Sequence, residues 1–454
     1  MKLTFRRLFV TTILLWGIIV LPSCRQDPVP QPGYATLKEA LEDIGLISLI
    51  TENPDATAVE EKQKGKLDYV SQYSMFFNQD LNHDDEGGES FKQRVCILFR
   101  GFDRPTVYVT HGYDWSRFGD GMNLANNLNA NVVCVEHRNY GESYNADNGV
   151  WEYQTVAQAS ADLHDIYQTL KPIFKGKWMS TGTSKSAETS ITYAYYYPQD
   201  MNLAVGFCGP FVQGTDDRRF GEYLFNEVGT QEERDLMKTA IRHTLQGGEE
   251  GMYKDVCAWF IECKDRVPVF SEYVFTVFDT FFQVFQYMTP TTGRGQMLEL
   301  LATDNEALSS KVSTTLMENR DEAYRAYFVE CVRQMGWQND GYDYFSDLLE
   351  GTSFDYTKVS ASVVAPEDRA QVDLYDGSVY ADIVNNFFMT STCPLLLYYS
   401  HDDPWSAGKP NQVGPNVKVV VNPIGKHSDV INDPTYCPSS VKQEVMQYVG
   451  QYIY

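Results

Sequence analysis

Apolar residues along this chain gather into short continuous runs, separated by stretches in which they recur every three or four positions. Residues 105–110, 132–136, 178–181, 203–208, 394–399 and 417–422 are runs of the first kind and predict strands, with 73–77 and 91–99 ahead of them. Val156, Ala159, Leu163, Ile166 and Leu170 step along one helix face. A second helix follows residue 184 and reaches Tyr197, Val441, Val445 and Val449 mark a last one, and 37–50 predicts a short amphipathic helix at the start. Short apolar strands alternating with helices predict an α/β fold whose parallel sheet is covered on both faces.

Between about residues 216 and 375 the strand pattern disappears. Helical spacing there is strongest over 232–245, 252–262, 269–288 and 320–335. Phe270, Val274, Val277, Phe281 and Phe285 form an aromatic and aliphatic stripe that predicts packed core rather than a ligand box. An all-helical block between two halves of a sheet predicts a lid. The expected organisation is a leader over 1–23, a Pro-rich tether over 24–36, the first part of the core over 37–215, the lid over 216–375 and the second part of the core over 376–454.

The leader is read from its charge and length. Lys2, Arg6 and Arg7 precede an apolar run over 8–21 that breaks at Pro22, which is the pattern of an export signal and is short for a membrane span. Leu21-Pro22-Ser23-Cys24 resembles a bacterial lipobox, with Pro22 as a departure from it. That resemblance implies lipidation at Cys24 and a place in the bacterial cell envelope, periplasmic or at the cell surface, with membrane contact through the lipid anchor alone.

The 454 residues are 43% hydrophobic and 14% aromatic, ample for a large core. Lys+Arg 37 against Asp+Glu 61 gives a net charge of −24, which excludes a nucleic-acid surface and suits cationic ligands such as the free amino ends of peptides. Beyond Cys24, the cysteines Cys96, Cys134, Cys208, Cys257, Cys263, Cys331, Cys393 and Cys437 have spacings that select no disulfide pairing. No paired-cysteine motif or histidine cluster points to a metal, and no cofactor is called for.

Gly182-Thr183-Ser184-Lys185-Ser186 follows a predicted strand and opens a predicted helix. A tight turn there projects the serine oxygen off the sheet, and the helix dipole and the Lys185 amide face a developing oxyanion. An inert serine in a strand-to-helix turn has the same letters, so the partners matter. In α/β-hydrolases an acid and then a base follow the serine, each after a late strand. Ser400-His401-Asp402-Asp403-Pro404-Trp405 and Gly425-Lys426-His427 occupy those places. His427 is the expected base, with His401 as its rival, and Asp402 and Asp403 compete for the acid. His111-Gly112-Tyr113 follows an early strand, and the Gly112 or Tyr113 amide is the expected second oxyanion donor.

These residues belong to a longer set of blocks in order. Phe91-Lys92-Gln93-Arg94, His111-Gly112-Tyr113, Val135-Glu136-His137-Arg138 and Tyr140-Gly141-Glu142-Ser143 come first. Gln158-Ala159, Asp162-Leu163-His164, Gly182 to Lys185, Asp217-Arg218-Arg219-Phe220, Asp403-Pro404-Trp405 and Gly425-Lys426-His427 follow. The chain thereby resembles the Streptomyces-type tripeptidyl aminopeptidase family of serine peptidases, in the clan that includes prolyl carboxypeptidase. The resemblance implies an α/β-hydrolase fold with an inserted helical lid, removal of short peptides from free N-termini through an acyl-enzyme, and Asp403 rather than Asp402 as the acid. Thr183 and Ser186 stand where the family more often has glycine.

An exopeptidase of this kind needs carboxylates for the substrate ammonium, and Glu136, Glu188 and Asp217 are the candidates. Each has an ordinary structural alternative, which for Glu136 is a partnership with Arg138 or Arg94. Two other functions fit the same sequence: a lid-covered esterase or other acyl hydrolase using the same three residues, and a non-catalytic peptide-binding lipoprotein.

Overall fold

A computed structural model describes residues 33–46, 69–85, 87–114, 121–143, 151–428 and 430–454, with backbone alone at 51–52. The leader, Cys24 and nearly all of the tether lie outside the described residues.

Among the described residues nine strands form one sheet in the order β1-β2-β3-β5-β4-β6-β7-β8-β9. They are β1 (Thr51–Glu52), β2 (Ser71–Asp80), β3 (Ser90–Phe99), β4 (Thr106–Thr110), β5 (Asn131–Val135), β6 (Trp178–Thr183), β7 (Leu203–Phe207), β8 (Leu395–Ser400) and β9 (Val417–Asn422). The first four in that spatial order pair antiparallel, and from β5 to β9 every pair is parallel. Every residue of β4, β5, β6, β7 and β8 is buried, as strands covered on both faces must be.

The β2 strand runs farther than its apolar letters suggest. Gln79 pairs in register with Phe91, and its buried amide donates to Gln93 Oε1 and to the Asp162 carbonyl, both at 2.9 Å. Polar residues satisfied inside the sheet conceal a strand from hydropathy. The opening helix α1 (Leu37–Asp43) is shorter than its pattern, because Gly45 adopts φ 81° and ends it.

Helices cover both faces. On one side α3 (Val156–Leu170) and α4 (Lys185–Tyr196) bury Leu163, Ile166, Leu170 and Ile191. On the other, α2 (Met122–Leu128) and the C-terminal helix Ser439–Ile453 bury Leu124, Val441, Val445 and Val449. Between β7 and β8 the chain is helical, from Arg219–Asn226 to Phe388–Thr390. In the helix Phe270–Tyr287 the stripe of Phe270, Val274, Val277, Phe281 and Phe285 is buried core.

The stretch expected as one helix over 320–335 is instead broken. It contains a 3-10 turn Glu322–Tyr324, an α-helix Arg325–Glu330 and a π-helical turn Cys331–Met335, which closes at Gly336 with φ 96°. Such π turns often reshape a helix where a side chain must be aimed. Among the described residues no helix is long and apolar enough to cross a membrane. Cys208, Cys257, Cys263, Cys331, Cys393 and Cys437 carry free thiols.

Candidate active site

The parallel strands end along one edge, and the candidate residues lie just beyond it. Ser184 follows β6 directly in a strained conformation, φ 61° and ψ −130°, and its amide donates to the Phe207 carbonyl at 2.8 Å. A non-glycine residue at positive φ costs on the order of 1–3 kcal/mol and persists where the surroundings fix it. Here glycine makes the turn possible. A Cβ on Gly182 would stand 2.4 Å from the Ser186 backbone, and one on Gly112 would stand 2.7 Å from the Lys185 and Ser186 backbone.

Asp403 lies in the loop after β8 and is fully buried. Its Oδ1 accepts from the Trp405 amide at 3.1 Å, and its Oδ2 lies 2.7 Å from His427 Nδ1. The other ring nitrogen of His427, Nε2, is buried and makes no hydrogen bond. A buried polar atom left in that state calls for a chemical reason. The Cys208 thiol, at the end of β7, joins this pair, with one ligand-type atom of each residue within 4.8 Å of the others. Burial first, and then the Asp403 charge, push its pKa well up, so the thiol stays protonated as a weak donor beside the carboxylate.

The neighbouring acid is otherwise engaged. Asp402 Oδ2 accepts from Arg294 Nη2 at 2.9 Å and its Oδ1 lies 3.1 Å from His401 Nδ1. Arg294, fully buried, also donates twice to Glu233. The structure therefore brings Asp403, not Asp402, to His427.

With this geometry the chain can be set beside known proteins. The model of the PS-10 peptidase S37 family matches residues 36–342. The chain belongs to that family of serine peptidases. It is 30% identical over 198 residues to a prolyl tri/tetrapeptidyl aminopeptidase of Streptomyces mobaraensis, a match covering 43% of this chain and 40% of that relative. Solved structures of similar fold include an esterase from Thermogutta terrifontis, 12% identical with a TM-score of 0.38, covering 84% of this chain and 100% of that one. Another is a proline iminopeptidase from Mycobacterium smegmatis, 12% identical with a TM-score of 0.36, covering 83% and 98%. The sheet order and helical insertion agree with the α/β-hydrolase fold.

In this S37 chain the loop after β4 packs on the start of α4. The Gly112 amide, one of the two expected second oxyanion donors, donates to Ser186 Oγ at 2.9 Å and is already engaged. Ser186, in the place where glycine is expected, thus pins this loop to α4.

The three candidate amine anchors differ sharply. The Glu136 carboxylate accepts from the Ser143 amide at 2.8 Å and from its hydroxyl at 2.7 Å. Asp217 accepts from the Gln213 amide at 2.8 Å and from Arg219 Nη2 at 2.7 Å. Glu188 is buried on α4 with the Tyr380 hydroxyl beside it but no well-aligned hydrogen bond to either oxygen, and burial pushes its pKa well up. Arg138 braces its loop through two bonds of 2.7 Å to Asp162.

Three residues that matter here, Glu330, Gln286 and Arg294, escaped the sequence reading, as did the role of the Lys185 side chain. Lys185 contributes a buried side chain as well as an amide, with Nζ 2.9 Å from Glu330 Oε2. Gln286 and Arg294 hold the loops of His427 and Asp402 from the lid. Lys185 had a signal, because a lysine one position past Ser184, at the buried start of a helix, must find a carboxylate. Glu330, Gln286 and Arg294 look like surface letters of a helix until the fold is known.

Proposed function

We propose that this S37 peptidase is an exported, lipid-anchored serine exopeptidase that removes tripeptides and similar short peptides from free N-termini. The observation that carries the reading is His427, with one nitrogen on Asp403 and the other buried and unpartnered, at the same sheet edge as the strained Ser184 turn. His427 Nε2 takes the Ser184 proton as Oγ bonds to the scissile carbonyl carbon. The oxygen of that carbonyl becomes an oxyanion held by the Lys185 and Tyr113 amides. His427 then gives the proton to the leaving amine as the peptide bond breaks, which leaves the acyl-enzyme. Water attacks that ester with His427 as base, and Ser184 recovers its proton. Asp403 fixes the ring and stabilises its cationic form. The helices over 216–375 act as the lid that admits chain ends. Export and anchoring rest on residues 1–24, with Cys24 as the lipidated residue.

The test is mass spectrometry of a defined peptide library digested by the wild type and by Ser184→Ala. Products shortened stepwise from the N-terminus, absent with Ser184→Ala, are expected. A wild type that reacts with a fluorophosphonate at Ser184 and hydrolyses short acyl esters, yet releases nothing from any peptide, would show an acyl hydrolase of another kind. For the anchor, Cys24→Ala should move the protein from the membrane fraction to the soluble one.

A further inference from the structure

Beside the nucleophile helix lies a small cavity with room for about one water-sized group, walled by Lys185, Glu188, Glu330, His137 and Tyr380. Its charges do not balance. Lys185 Nζ sits 2.9 Å from Glu330 Oε2, and Gln154 Nε2 donates to the same oxygen at 3.1 Å, so Glu330 is satisfied. Glu188 is buried at 2% exposure and neither of its oxygens has a hydrogen-bond partner, although the Tyr380 hydroxyl stands close enough to act on it. His137 supplies no compensating charge, since burial and then Lys185 hold its pKa well below the usual histidine value. Two carboxylates against one lysine leave a single negative charge over when both are ionised.

A buried carboxylate without a partner is expensive, and proteins keep one where a ligand completes it. The missing partner must be a compact cation able to donate several hydrogen bonds. Glu188 is four residues past Ser184, so the helix rise separates their Cα atoms by roughly 6 Å along the axis. An extended tripeptide spans about 10 Å, so an acyl group on Ser184 is long enough for its free amine to reach this carboxylate. The lid completes the site. Glu330 is the last residue of its α-helical turn before the π-helical Cys331–Met335, and Tyr380 comes from the helix Ser378–Asp382 just after the lid.

We infer that Glu188, assisted by Glu330 from the lid and Tyr380 from the helix that follows it, receives the α-ammonium group of the substrate, with Lys185 as the internal cation that leaves one charge for it. The inference rests on the exopeptidase reading above and names the group that makes the enzyme act on chain ends. Glu136 and Asp217 are engaged elsewhere and take no part.

The experiment compares each peptide with its N-acetylated twin, using full-length wild type, Glu188→Gln and Tyr380→Phe. Rates are expressed per site titrated by a fluorophosphonate, so unfolded protein does not count. For the wild type, free peptides should exceed acetylated ones in kcat/KM. Glu188→Gln should lower that ratio about 10²-fold, mainly through KM, as expected for removing one partner of a buried charge pair. Tyr380→Phe, a milder change, should lower it several-fold. An unchanged ratio in both variants would overturn the inference while leaving the exopeptidase intact. A wild type that cleaves neither twin but labels with the fluorophosphonate would instead remove the exopeptidase reading.

Discussion

Gln286 of the lid holds His427 by the backbone: the carbonyl of Gln286 accepts the His427 amide hydrogen at 3.1 Å. Its side-chain Oε1 also accepts from the Trp405 indole at 3.0 Å, so one lid residue touches the loops of both His427 and Asp403. Replacing Gln286 with Leu keeps the backbone bond but leaves a largely buried indole N–H unpaired, at a cost of about 1–3 kcal/mol. We expect a lower unfolding midpoint and a kcat reduced a few-fold, with KM little changed. Thermal denaturation beside steady-state kinetics checks it. Full kcat in a destabilised variant would mean that the lid does not position these loops.

Asp402 and Asp403 are adjacent in sequence but serve different neighbours. Asp403→Asn should cost roughly 10³–10⁴ in kcat, because the amide cannot hold the required tautomer or stabilise the imidazolium. Asp402→Asn should cost less than about 10-fold, since Arg294 keeps its two bonds to Glu233. The loss there should fall on stability. Burst kinetics on both variants separates the two roles, and comparable losses in kcat would show that the assignment is wrong.

The contrast shows what the letters of the chain could convey. Strands β4 to β8 are legible because burial on both faces demands unbroken apolar runs, and the places of Ser184, Asp403 and His427 beyond strand ends are legible because each follows a predicted strand. The lid was legible only as helix. Its contributions to the site come from Gln286, Arg294 and Glu330, whose polarity is ordinary for an exposed helix face. Only the tertiary fold buries them, and only burial makes each find a partner. The extension of β2 was hidden for the same reason, by Gln79 bonding inside the sheet.

Ser186 ties two parts of the site together through one hydrogen bond to Gly112. Ser186→Ala keeps the helix but leaves the Gly112 amide without that acceptor, freeing the loop that carries Tyr113. A direct oxyanion donor is worth about 10²–10³ in rate. A residue that only steadies the donor should be worth less, so we expect acylation to slow about 10-fold with KM nearly constant. Single-turnover measurement of acylation is the check. An unchanged rate would show that the loop holds its place without Ser186.

Glu188 should make both binding and stability depend on pH, in opposite senses. Burial raises its pKa, Lys185 opposes that rise and Glu330 adds to it, with the hydroxyl of Tyr380 and the thiol of Cys331 also close. An ammonium group binds the ionised carboxylate, so KM for free N-termini should fall as pH rises toward the Glu188 pKa, while N-acetylated peptides show no such trend. For stability the sign follows from proton counting. The folded state holds this proton at pH values where the unfolded chain, with a carboxyl near 4.3, has lost it. Stability from this group is therefore complete below the unfolded pKa and is lost as pH rises through the folded one. Glu188→Gln removes that loss, so its unfolding midpoint should gain on the wild type as pH increases, even as peptide binding weakens. Thermal unfolding of both proteins across a pH series reads the effect. A constant difference between them would mean that Glu188 is already ionised and paired in the folded chain, and the vacancy for a substrate ammonium would disappear with it.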